Sequence, residues 1–300
     1  MGGVPLSGPV TILSSARIST KSKPFWHSRG PKIIVFVVLT AISLLMLLPI
    51  FIMLSTSLKS QQTVFLFPPK WIPSPMHWGN FISALRQAPF GDYFKNTALY
   101  AVIGSCAEVF SSAVVAFGFA RYRGRGRQTI FYVVLMTMMI PYPAVMVPQF
   151  VLFSKLHWIN TYLPLIVPSF FAGGGYMVFL LRQFFNSLPL ELFEAARIDG
   201  CGEFRSFFQL ALPLSKPALT AGMIFAFMFR WNDYLGPLIY LNSQSKYTLS
   251  IGLASFVNQF SVTPWQLLMA ASLVVVIPPL LIFFFAQRYF VEGITITGLK

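Results

Sequence analysis

Charge is what this 300-residue chain has least of. Asp, Glu, Lys and Arg make up 10% of it, whereas soluble chains carry roughly 25%. Only 8 residues are acidic. This scarcity excludes an ordinary water-soluble domain. Cysteine is nearly missing too. Cys106 and Cys201 stand far apart with no CxxC spacing, which excludes a thiolate metal site or redox pair and leaves two small residues suited to burial. His27, His77 and His157 are equally scattered, so no metal-ligand cluster forms. No GxxxxGK(S/T) stretch occurs, which removes that means of holding a nucleotide. No set of residues converges as a catalytic centre, so the chain reads as a non-enzyme.

What is present is apolar sequence in long runs. The chain is 56% hydrophobic, with 32 Phe and 12 Met, and its mean hydropathy is +0.69. About 20 apolar residues cross a bilayer. Six stretches meet that length: 33–55, 96–120, 129–152, 162–181, 218–241 and 265–287. Ahead of them, residues 1–32 read as a disordered basic tail. The run that follows is too long for the h-region of a signal peptide, so it is expected to be an uncleaved first span. Residues 56–93 and 242–264 read as polar loops with interfacial aromatics, and 288–300 as a short tail. Pro141, Pro143 and Pro148 should bend the third span, and Gly173-Gly174-Gly175 should kink or tighten the fourth.

The formal charge of +14 is distributed like that of a membrane protein, not of a nucleic-acid binder. Fifteen of the 22 Lys and Arg fall in the N-terminal tail, the loop starting at Arg121, residues 182–216 and the C-terminal tail. Six fall in the alternate loops, and Arg230 lies inside a span. Positive charge marks the cytoplasmic side, so both termini and the 183–216 loop are expected inside the cell. Glu108 and Arg230 sit about 10–12 residues from the outer ends of their spans, roughly 15–18 Å deep at ~1.5 Å per residue. An unpaired charge at that depth costs at least about 2.5–3.5 kcal/mol. Glu108 and Arg230 are therefore expected to pair, or to share a network with Asp233 at i+3 from Arg230.

The loop between the fourth and fifth spans is the polar exception. Glu191, Glu194, Asp199 and Glu203 are four of the chain's eight acids. It reads as helix–turn–helix: Ser187 as cap with Pro189 in the first turn, an apolar face at Leu192, Ala195 and Ala196, and Gly200 as a left-handed stop. A second short helix follows through Phe204, Phe207 and Phe208, and Pro213 and Pro217 lead back to the membrane. By itself this pattern also fits an interfacial helix with no protein partner.

Glu194-Ala195-Ala196, three residues, Gly200, nine residues, then Leu210-Ala211-Leu212-Pro213 resembles the EAA loop of bacterial ABC importer permeases. Leu210 stands where that family usually has Ile, a volume-conserving change. Trp231-Asn232-Asp233-Tyr234 with Gly236-Pro237-Leu238, and the ending from Arg288-Tyr289-Phe290 to Lys300, resemble segments of the maltose-type, carbohydrate branch. The likeness covers about residues 94–287. It implies an all-α membrane protein of six transmembrane helices, with the ABC type-1 fold and a cytoplasmic coupling helix. It implies that Glu194, Ala195, Ala196, Asp199, Gly200, Leu210 and Pro213 couple to separate ATPase subunits. Small residues let such a helix enter a groove, and a glycine turns the chain back.

The same resemblance implies a bacterial inner-membrane location and a set of partners: a second homologous permease, two copies of a cytoplasmic ABC ATPase and an extracytoplasmic solute-binding protein. Membrane lipid surrounds it and nucleic acid has no part. No cofactor is expected, ATP being bound by partner subunits. The expected cargo is a sugar or related polyol. Trp231, Asn232 and Tyr234 are candidates for the substrate path, since aromatic faces suit C–H surfaces and amides suit hydroxyls; the same residues also suit an interfacial belt. Two other readings stay open: a permease for glycerol phosphate or peptide, and an ion-coupled secondary transporter with broken helices; a membrane-bound enzyme lacks any converging catalytic residues.

Overall fold

The computed structural model describes residues 29–257 and 262–297, with side chains for 32–257 and 262–287. Helix is the only regular element among the described residues. The chain divides into two compact units, Met1–Phe51 and Ile52–Lys300. The first unit holds most of α1 (Arg29–Ser57), whose side chains between Ile33 and Phe51 are exposed, as suits a helix surrounded by hydrocarbon. The N-terminal tail up to residue 28 and the segment 298–300 lie outside the described residues.

Among the described residues four helices are long and apolar enough to cross a membrane: Lys32–Ser57, Phe90–Arg121, Leu163–Ser187 and Trp265–Gln287. Two bent pairs raise the number to six. The first pair is the third span expected over 129–152 with a proline bend, and it is broken outright. Here α4 (Arg127–Thr137) and α5 (Tyr142–Lys155) meet at 95°. Pro141 is the cause: it has no N–H to continue the ladder, and its own backbone is extended. The second pair is Glu203–Leu214 with Lys216–Trp231, bent by 79°.

The second unit is organised around α3 (Phe90–Arg121), which starts six residues earlier than the apolar run alone suggests. It packs against α7 (Gly175–Ser187), α11 (Lys216–Trp231), α13 (Leu249–Ala254) and a 3-10 turn at Val167–Phe171. Ala101, Gly104, Ser105, Ala113 and Ala116 on α3 are buried, so neighbouring backbones approach closely. The fourth span is α6 (Leu163–Ile166), that 3-10 turn, a break over 172–174, and α7. At the break Ala172 (φ 67°) and Gly173 (φ 51°) are left-handed.

The loops carry more structure than their polarity suggests. The 56–93 loop contains α2 (Gly79–Arg86), which packs on α14 (Trp265–Thr297). The fifth span ends at Trp231 and resumes as α12 (Leu235–Tyr240). The last helix continues through Thr297, so the expected tail is helical for most of its length, while its side chains lie outside those described.

Candidate functional site

The 183–216 loop forms a protruding elbow. Its first helix, α8 (Leu190–Ile198), has no buried residue. Ser187 does not cap it. Ser187 ends α7 and donates to the Phe184 carbonyl at 2.7 Å, while Pro189 occupies the N-cap with extended backbone. The stop is built as the sequence suggests. Gly200 has φ 77°, the Cys201 N–H donates to the Ala196 carbonyl at 2.8 Å, and the Gly200 N–H donates to Arg197 at 3.1 Å. This pair of bonds satisfies carbonyls that the helix end would leave open. Arg197 and Glu203 bridge the two arms at 3.2 Å.

The second arm is α9 (Glu203–Ser206), a π turn over Phe207–Ala211, and α10 (Leu212–Leu214). The π turn follows from Pro213. Without an N–H, and with its ring against the carbonyl four residues back, Pro213 widens the preceding turn, and Leu212 N–H reaches back to Phe207. Glu194, Ala195, Asp199, Gly200 and Pro213 are exposed, and Ala196 and Leu210 half-buried. Two large apolar side chains also stand in the open: Ile198 is 86% exposed and Phe204 82%.

One residue that joins the elbow to the spans is not evident from the sequence. Arg121 reads there as one of four membrane-orienting arginines. In the fold its Nη2 donates to the carbonyls of Phe185 (2.7 Å) and Leu188 (3.0 Å), the open end of α7. The same guanidinium lies 4.0 Å over the Phe193 ring of α8. One side chain thus ties α3, α7 and the elbow. Phe117, one turn earlier, packs on Phe185, Phe193 and Phe207. The i,i+4 pairing of Phe117 with Arg121 is the signal that could have identified the joint. Beside it, partial burial and the Glu203 carboxylate raise the Tyr122 phenol above its ordinary pKa, with Arg197 opposing, so it remains a neutral hydroxyl.

The second candidate region lies within the spans. Arg230 Nη1 meets Glu108 Oε2 at 2.6 Å, both largely buried. Nη1 also donates to the Ala226 carbonyl, and Nη2 to Ser169 Oγ at 2.8 Å. Gly104 and Gly173 make the space. A Cβ on Gly104 would collide with the Arg230 Nε, and one on Gly173 would lie 2.6 Å from Glu108 Cγ. The break in the fourth span is stitched to α3 at the same level. Ser111 Oγ donates to Ser169 O and accepts from Ala172 N–H, and Ser112 Oγ donates to Ala172 O.

Asp233 stands apart from this pair. Its carboxylate accepts from Tyr100 Oη at 2.9 Å and from Gly236 N–H at 3.1 Å, which holds the start of α12. The suggested substrate-path residues separate. Trp231 is buried between Phe94 and Phe227, its indole N–H on Val275 O at 3.2 Å, which makes it a packing residue. Asn232 bonds its own helix at Met228 O, and Tyr234 is 40% exposed. Among the described residues no cluster of His, Cys, Asp and Glu could hold a metal ion.

Residues 110–296 match the family model described as binding-protein-dependent transport system inner membrane component. The chain is 34% identical to the arabinooligosaccharides transport system permease protein AraQ of Bacillus subtilis strain 168, over 86% of this chain and 92% of that one. It is 32% identical to the sn-glycerol-3-phosphate transport system permease protein UgpE of Yersinia enterocolitica, over 89% and 97%. A crystal structure of a bacterial ABC transporter involved in the import of the acidic polysaccharide alginate contains a chain of the same fold. That match has a TM-score of 0.77 and 23% identity, covering 88% of this chain and 99% of that one.

Proposed function

This chain belongs to the family of binding-protein-dependent transport system inner membrane components, and from that premise we propose that it carries a sugar or related polyol across a bacterial inner membrane. It is a multi-pass permease subunit of an ABC importer, not an enzyme. The proposed assembly holds a second permease, two cytoplasmic ATPase subunits and an extracytoplasmic binding protein, with both termini inside. This chain itself binds no nucleotide.

The observation that carries the reading is the elbow: a helix with no buried residue, flanked by exposed Ile198 and Phe204 and tied to α3 and α7 through Arg121. Apolar knobs on a polar loop are filled by a partner's groove. Closure of the ATPases would push the elbow, and Arg121 would pass the displacement to α3 as a rigid-body motion.

Between an uncharged sugar and a phosphate ester, the intramembrane charges favour the sugar. Glu108 neutralises Arg230, and Asp233 adds a negative charge, so the described residues offer an anion no unpaired cation beside that pair. Purification after mild detergent extraction should recover an ATPase and a second permease. Phe204→Asp should cut ATPase recovery severalfold while the chain still inserts. Full ATPase recovery with that variant would overturn the docking role.

A further inference from the structure

We propose that the 56–93 loop carries a binding site for the phosphate of an anionic phospholipid, centred on Lys59. Lys59 is only 7% exposed as a residue, while its ammonium, which has no ion pair or hydrogen-bond acceptor among the described residues, keeps accessible surface toward the crevices that the side chain lines. No side-chain carboxylate precedes Lys59 in the 300-residue sequence, whose first acidic residue is Asp92. An ammonium with no acceptor inside the fold, facing crevices that hold a second lysine and no carboxylate, attracts an anion.

The surroundings are built rather than incidental. Asn80 Nδ2 donates to the carbonyls of Ser57 and Lys59, both at 2.8 Å, and His77 N–H donates to Leu58 O at 2.9 Å. Ser55 Oγ bonds the Trp71 carbonyl. These bonds fold the loop back on itself and hold Lys59 in place. Lys59 and Lys70 line two adjoining crevices. The larger, about 330 Å³, has apolar walls from Ile52, Val64, Phe65, Trp71, Trp265 and Met269. Phe65 and Trp265 meet edge to face at 6.2 Å, closing one side. The smaller is polar, with Ser60, Thr63, Ser74 and His77 around the same two lysines.

An apolar cleft opening onto a doubly cationic, hydroxyl-lined end matches a glycerophospholipid: acyl chain along the tryptophans, phosphate oxygens on the ammonium groups. The absence of any carboxylate favours a net-anionic headgroup such as phosphatidylglycerol. A zwitterionic headgroup would bring its own cation against Lys70. With the loop extracytoplasmic, as the proposed topology has it, the lipid belongs to the outer leaflet.

The test is thermal unfolding of the full chain, purified with its assembled partners, against short-chain phosphatidylglycerol, short-chain phosphatidylcholine and inorganic phosphate at matched ionic strength. Phosphatidylglycerol should raise Tm saturably and the other two should not. Lys59→Gln should weaken the apparent affinity roughly tenfold or more, Lys70→Gln severalfold, and the distant Lys155→Gln not at all. Should Lys59→Gln fail to fold, Lys59→Arg must retain the shift and Lys70→Gln must still reduce it. An equal response to phosphatidylcholine, a response to inorganic phosphate alone, or indifference to Lys59 and Lys70 would each overturn the site. Labelling of Gln62→Cys by an impermeant maleimide in intact cells, with the unsubstituted chain as reference, reports the side of the membrane separately. Labelling only after lysis would sink the topology while leaving the lipid result standing.

Discussion

The intramembrane cluster and the elbow use similar materials, a few charges, small residues and aromatics, yet one is closed and the other open. Around Arg230 both terminal nitrogens find acceptors within the chain, and two glycines shape the space for the pair. At the elbow α8 has no fully buried residue, and Ile198 and Phe204 are mostly exposed. The difference follows from where each kind of side chain is costly. A charge in hydrocarbon must be matched inside the fold before anything else binds. An apolar side chain in water can wait for another protein. Structural closure therefore marks what holds this subunit together, and openness marks the surface that the proposed assembly would cover.

The contrast can be broken most forcefully at Arg230. Arg230→Leu leaves the Glu108 carboxylate buried without a counterion and should cost about 3–5 kcal/mol. Adding Glu108→Gln should restore most of that loss. Thermal unfolding in detergent reads both, and equal stability of the single and double variants would show that the pair does not close the cluster. Next comes Gly173→Val, which combines a left-handed backbone with a Cβ 2.6 Å from Glu108. Its cost should be about 2–3 kcal/mol, seen as a lowered Tm.

Gly200→Val sharpens the other side. Its φ is 77°, but nothing lies within 4 Å of the added Cβ, so the penalty is backbone strain alone, about 1–2 kcal/mol. Because the elbow is exposed, that strain should distort the turn with little change in Tm, abolishing solute uptake while ATPase activity persists. Normal uptake would remove the elbow from the coupling path. The smallest effect belongs to Arg197→Ala. The Arg197–Glu203 pair is exposed, so its loss should cost under about 1 kcal/mol and weaken with added salt.

Six apolar runs, the pairing of Glu108 with Arg230 and the left-handed stop at Gly200 were all legible in the residues, because hydropathy, the cost of buried charge and glycine's freedom are local properties. The bends were half legible. Prolines announced a kink in the third span, but its 95° angle depends on how α4 and α5 pack. The Ser187 cap failed because the hydroxyl bonds the helix behind it instead of the one ahead. Trp231 looked available from its sequence neighbours, whereas packing between Phe94 and Phe227 buries it. Arg121 was hidden among three other arginines, since its two carbonyl acceptors lie more than sixty residues away.

By itself the amino-acid order determined that this chain lives in a membrane, that six of its apolar runs are long enough to cross one, and that one polar loop between the fourth and fifth must face water. Only the tertiary structure decided that Arg121 joins that loop to α3 and α7, that Gly104 and Gly173 shape the space around the ion pair, and that Lys59 lines its crevices without an acceptor. The physical reason is range. Transfer energies and backbone preferences act within a helical turn or a single span, whereas the partners of these side chains come from helices that only folding brings together.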